Sequence, residues 1–208
     1  MRKNKNISLS KKPVFFFVID GKCEYWYLQL LKQHENLNVN LEPKLPNKKK
    51  LKDQFESVKN LSKDNEVEKV FWIIDFDTIL KETRECKQGN ETPLQKFQKL
   101  CDKCKNNKKI HIIVNNPSLE YWFLQHFVQT AKHYESYTQL KPDLTKHLSD
   151  YDKTEKYYKN SREDIYQKLY PNLQTAISNS EKLGEFDFEN IHIGIAEMYK
   201  VFKTLGFR

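Results

Sequence analysis

Glycine and proline are scarce in this chain, five and seven of 208 residues. That excludes collagen-like and linker-like architectures, which need one or both in bulk. Cysteine is scarce too. Cys23, Cys86, Cys101 and Cys104 give one lone C-x-x-C, with no second pair and no histidine pair at metal-ligand spacing. Neither a disulfide framework nor a zinc site is expected, and the 101–104 pair reads as part of a helix in a reducing compartment. Long apolar runs are missing: the longest is Val14 to Ile19, far short of the roughly 20 residues a spanning helix requires. No membrane association is expected. The basic opening MRKNKNISLSKK has no cleavable apolar region behind it, which points to a cytoplasmic protein. There is no G-x-x-x-x-G-K-[ST] phosphate loop, no G-x-G-x-x-G and no G-x-S-x-G elbow, so motor function and serine hydrolysis are unsupported.

What the chain does have is aromatic and cationic. Phe 13, Tyr 11 and Trp 3 supply enough apolar surface to build a core and argue against disorder. Lys and Arg exceed Asp and Glu by 36 to 28, a net charge of +8. This balance favours a polyanionic partner such as nucleic acid, with the lysines at 48–50 and 103–109 as the expected basic surface. Lysine-rich surfaces also arise from genome composition alone, so charge by itself leaves the question open.

Along the chain, VFFFVI at 14–19, KVFWIID at 69–75 and HIIV at 111–114 read as buried strands, and Val39 to Glu42 as a short fourth. Helical spacing of apolar residues places helices near 22–34, 48–63, 93–105 and 118–131. The stretch from Thr78 to Thr92 reads as a loop or lid. Strands alternating with helices predict a parallel sheet with helices on both faces. From about residue 132 the pattern is helical, with no convincing strand; the clearest helices are expected near 165–183 and 190–205. The expected organisation is a basic N-terminus at 1–12, an α/β core over 13–131 and a helical extension over 132–208 packed on it.

Three strands end in polar clusters: Asp20-Gly21, Asp75-Phe76-Asp77 and Asn115-Asn116-Pro117. Each alone is an ordinary turn signal. Together they fall on the carboxyl ends of the strands, where open α/β sheets bind ligands. Asp75 and Asp77 form a D-x-D pair; in an extended segment they point the same way and repel unless a cation such as Mg²⁺ lies between them. The competing reading is a helix N-cap plus a surface carboxylate. Asp20 and Glu24 could supply a further ligand or a general base, although a glutamate in a first helical turn is also favoured by the helix dipole. Glu120 opens the helix after the third cluster, off its apolar face. His126 is a weaker base candidate, nearly two turns down that helix.

In this order the motifs resemble the RloB-like family. VFFFVIDGKCEYWYLQLL resembles its opening strand, E-G and T-E pattern, VFWIIDFDT its D-x-D strand, and NNPSLEYWFLQHF its N-P-x-F-E-x-W signature. YDKTEKYY and LQTAISNSEKL resemble its later helices, the first carrying Lys153 on the family's Y-x-K. The resemblance covers about residues 13–205 and implies a Toprim-like (Rossmann-like) core. It further implies a Mg²⁺- or Mn²⁺-dependent nuclease acting on DNA, RNA or tRNA beside an ABC-type ATPase, in bacterial anti-phage defence by abortive infection. Asp75, Asp77 and Asp20 would hold the metal; Asp20, Glu24 and Glu120 would be catalytic; Asn116 and Lys153 would join the site. Asp20 departs from the family's glutamate and reaches one methylene less far. The alternative is a non-catalytic subunit of the same fold that binds nucleic acid or docks on the ATPase.

Overall fold

A computed structural model describes residues 13–19, 21–43 and 50–207. The basic N-terminus at 1–12, Asp20, and Lys48 and Lys49 lie outside the described residues. The elements run β1 (Val14–Val18), α1 (Lys22–His34), β2 (Val39–Glu42), α2 (Leu51–Ser62), β3 (Val67–Asp75), α3 (Phe76–Arg84), α4 (Pro93–Cys104), β4 (Ile110–Asn116) and α5 (Leu119–Gln125). Then follow α6 (Tyr137–Leu144), α7 (Glu155–Tyr158), α8 (Ile165–Leu169), α9 (Leu173–Leu183), β5 (Ile195–Ala196) and α10 (Met198–Thr204).

The five strands form one sheet in the order β2-β1-β3-β4-β5. The first four are parallel; β5 pairs antiparallel with Asn115 and Asn116 of β4. The expected α/β architecture, with helices on both faces and a helical second half, is the one observed. Central β3 explains why the strands are continuously apolar. Its Phe71 and Ile73 enter a core with α1, α5 and the C-terminal helices, while Val70, Trp72 and Ile74 enter a second core under α2, α3 and α4. A strand buried on both faces cannot alternate with polar residues. Each large side chain so buried contributes roughly 1.5–3 kcal/mol.

The structure corrects four readings. The 78–92 stretch is a loop only from 85 to 92: α3 runs from Phe76 to Arg84, and Ile79 and the half-buried Leu80 pack it onto the second core. The helix after the third cluster stops at Gln125. The expected 165–183 helix is broken into α8 and α9 by a 3-10 turn at Tyr170–Asn172, where Pro171 cannot continue the hydrogen-bond ladder. The expected 190–205 helix is really β5 followed by α10. A two-residue strand is too short to leave a periodic signal.

Candidate functional site

The carboxyl ends of β1, β3 and β4 form a rim, and each acid there is positioned by a different element. Glu24 occupies the first turn of α1, immediately after Gly21, whose missing side chain leaves room for the Glu24 carboxyl group. Asp75 is the last residue of β3 and stands at the N-cap position of α3 without capping it. Its Oδ1 instead accepts from the backbone N–H of Leu119, 2.8 Å away at the start of α5. Asp75 and Glu24 are joined by a side-chain hydrogen bond. Burial first, then the charges of Glu24 and Glu120, hold the Asp75 carboxyl well above the ordinary carboxylate range.

Asp77 does not sit as expected. Because α3 starts at Phe76, Asp77 is a helical residue, and the period of two that would align it with Asp75 does not apply. It remains at the rim: its backbone N–H donates to the Pro117 carbonyl at 3.0 Å, and its carboxyl feels Lys153 and Glu120. Burial raises its pKa, and the Lys153 ammonium and the Tyr137 N–H oppose that rise.

Glu120 is fully buried and fully engaged. Its Oε2 accepts from Ser118 Oγ at 2.7 Å. Its Oε1 accepts from the Tyr151 hydroxyl at 2.8 Å and pairs with Lys153 Nζ at 2.9 Å. Tyr151 in turn meets the Tyr158 hydroxyl at 2.5 Å. The Lys153 Nζ lies 3.9 Å from the centre of the Tyr137 ring. Burial would lower the lysine, but Glu120 and Asp75 outweigh it and hold its pKa above the ordinary value. Cys23, where the family motif has threonine, is a thiol pushed up to about 12 by burial and by Glu120 and Glu24, so it stays protonated.

Four of the five acids expected on the rim are thus brought together, namely Glu24, Asp75, Asp77 and Glu120; Asp20 lies outside the described residues. Lys153 joins them. Asn116 does not: its side-chain amide donates to the Ile191 and Ile193 carbonyls at 2.9 and 2.8 Å, anchoring the loop that leads to β5. His126 is buried beneath the rim, with Nδ1 on the Trp122 carbonyl at 3.0 Å and its pKa pushed down to about 4 by burial, so it is a neutral core histidine.

The residue that sequence reasoning passed over is Asn115. It is paired in register with Asp75, is wholly buried, and neither its Oδ1 nor its Nδ2 has a partner. A buried amide left unpaired is costly, and in a native protein it marks strain, a catalytic role, or the place of an ordered water or ion. Its signal in the sequence was its place beside Asn116, which drew the attention instead. Tyr151 and Tyr158 gave no signal beyond the motif that contains them.

Among the described residues no group of three or more His, Cys, Asp or Glu is arranged to hold a metal ion. Two touching carboxyl groups and an unpaired amide oxygen do fit Mg²⁺, which is commonly held by one or two carboxylates together with waters and substrate phosphates. The basic surface is corrected in part. Lys103 ends α4, and Lys108 and Lys109 precede β4, where the Lys109 Nζ donates to the Asp64 carbonyl at 2.8 Å. These lysines lie at the amino ends of the strands, opposite the rim, because α4 runs back against the sheet. Lys50, at the N-terminus of α2, is on the rim side.

The fold and site so far define a class: an α/β protein whose mostly parallel sheet gathers carboxyl groups at the carboxyl ends of its strands. The family model described as RloB-like protein matches residues 15–205. The chain belongs to the RloB-like protein family. No curated protein and no solved structure matches it.

Proposed function

We propose that the protein is a Mg²⁺- or Mn²⁺-dependent nuclease of Toprim type, an effector of bacterial anti-phage defence that works beside an ABC-type ATPase. The observation that carries the nuclease reading is the hydrogen-bonded Glu24–Asp75 pair. Two carboxyl groups in contact hold either a proton or a cation between them, and a site that gathers four acids around the single ammonium of Lys153 is suited to the cation. Glu24 and Asp75 would hold the ion, with Asn115 Oδ1 able to accept from one of its waters, and Asp20 and Asp77 as further acids of the family pattern. The bound ion would supply charge to a phosphodiester and a more acidic water. Glu120 is assigned a bracing role, since Ser118, Tyr151 and Lys153 occupy its oxygens. The Lys153 ammonium keeps one positive charge at the edge of the acid cluster, where it can meet a phosphate oxygen. The defence role and the ATPase partner rest on the family resemblance.

The test is cleavage of single- and double-stranded DNA, RNA and tRNA with Mg²⁺ or Mn²⁺, with Asp75→Asn as control. Cation-dependent cleavage lost in the variant is expected. The absence of a three-acid group among the described residues favours a second reading, a non-catalytic subunit that binds nucleic acid or docks on the ATPase. Binding without cleavage on every substrate would select that reading.

A further inference from the structure

The rim has a second concavity on the opposite side of β3 from the Glu24–Asp75 contact. It is a cavity of about 600 Å³ between the start of α2, α3 and the start of α4. Its lining is aliphatic where it is deep: Ile74 and Ile79 are buried members of the second core, and Leu51 and Pro93 complete the wall. Its charged groups are Lys50, Lys52 and Lys96, all exposed, against the carboxyl groups of Asp75 and Glu82. Asp75 is therefore common to both features: it lines this cavity and bonds to Glu24 on the other side.

We propose that this cavity receives the base of one unpaired nucleotide of the nucleic-acid strand, next to the phosphodiester that lies at the Glu24–Asp75 pair. The placement of that phosphodiester rests on the nuclease reading above; the cavity itself does not. The volume lies within the roughly 300–1,000 Å³ of pockets that enclose a small organic ligand. An inorganic anion would use the lysines and leave the aliphatic wall bare. A nucleotide uses both, its flat apolar faces against Leu51, Ile79 and Pro93 and its flanking phosphates on the three ammonium groups. The three exposed lysines of the lining would meet the strand through its backbone charge, which is the general term in nucleic-acid affinity. A base stacked in a duplex cannot enter a cavity of this kind; it must be unpaired or turned out of the helix. The occupant is thus a single strand, or a loop or end of a folded RNA, rather than continuous duplex.

The test is fluorescence anisotropy with single-stranded oligonucleotides, each lacking one base at a successive position. It uses the Glu24→Gln protein without divalent cations, so that binding is read apart from cleavage. One position is expected at which loss of the base weakens binding about fivefold or more, as removal of a base contact does elsewhere. That sensitivity should vanish in Leu51→Trp, which fills the cavity from the start of α2. Should Leu51→Trp fail to fold by circular dichroism, Lys52→Glu with Lys96→Glu, both at exposed positions, should weaken binding at every position and most at that one. No sensitive position, or one that survives these variants, overturns the proposal. A sensitive position in a protein that never cleaves with Mg²⁺ would overturn the nuclease reading and leave the base pocket standing.

Discussion

A Cβ on Gly21 would stand 1.9 Å from Oε2 of Glu24. The backbone there is extended, with φ −107° and ψ 156°, a conformation open to any residue, so the glycine serves space and not backbone freedom. What an added methyl group meets is the far end of a flexible side chain, which can swing aside. Gly21→Ala is therefore expected to cost less than about 1 kcal/mol of stability, yet to move the Glu24 carboxyl group off Asp75. A melt unchanged within a few degrees, together with cation-dependent cleavage reduced to the level of Glu24→Gln, is the expected pair of results. Full activity in Gly21→Ala would detach Glu24 from the reaction.

Asp75 should make the apo protein less stable as the solution becomes less acidic. Its folded-state pKa is raised by burial and by Glu24 and Glu120. Its favourable contribution is present below the unfolded carboxylate pKa of about 3.9 and is lost as pH rises through the folded value. Asp75→Asn should thus match or exceed the wild type at pH 7, with the gap closing toward pH 4. Urea melts of both proteins across that range, with chelator present, measure it; a gap that widens on acidification would contradict the argument.

Mg²⁺ should reverse that deficit. A ligand that binds only the folded state stabilises it by about 2.7 kcal/mol at a hundred times its dissociation constant. The melting temperature of the wild type is expected to climb with Mg²⁺ or Mn²⁺, and that of Asp75→Asn to stay flat. An equal climb in both would place the ion elsewhere.

Lys153 and Glu120 should couple. Removing the lysine leaves a fully buried carboxylate with only hydroxyl partners. Because the lysine is about one-third exposed, the cost of Lys153→Met is placed at about 1–3 kcal/mol, below that of a wholly buried pair. Adding Glu120→Gln should recover much of it, and the double-mutant cycle gives the coupling directly. Additive losses would show that the two groups act separately.

Gly194→Ala should be the most damaging single methyl group. Its Cβ would lie 2.1 Å from the Tyr121 hydroxyl oxygen and 2.7 Å from the Lys132 backbone oxygen. Tyr121 is buried and its hydroxyl donates to the Thr130 carbonyl at 2.6 Å, so neither neighbour yields freely. A loss of about 1–3 kcal/mol is expected in a thermal or urea melt; a neutral result would mean that the 131–134 segment shifts without cost.

The parallel strands were legible because β3 and β4 are buried on both faces and read as unbroken apolar runs. The rim was legible because three strand ends carry polar clusters. What escaped were features set by neighbours distant in sequence. Asn115 is notable only for the partners it lacks, and nothing local distinguishes it from Asn116, which ties down a loop some 75 residues away. Asp77 was misplaced because the D-x-D pair was taken as extended, whereas a helix not expected there begins at Phe76, directly after the strand. The cavity beside Ile79 was hidden because its wall was read as a loop. β5 is specified by pairing with β4, 80 residues earlier, and not by its own two residues.

Glu197 has a consequence for how this molecule meets other chains. Its backbone N–H donates to the Val114 carbonyl at 3.1 Å, and its Oε2 accepts from the Val114 N–H at 2.9 Å. One residue thereby gives Val114 both hydrogen bonds that an adjoining strand would give. With β5 already on Asn115 and Asn116, the rim end of β4 offers no open ladder. A partner protein cannot lengthen the sheet there by laying down a strand of its own, the commonest way for an exposed edge to recruit another chain or to aggregate. A companion that reaches this stretch of β4 meets side chains rather than an open backbone ladder.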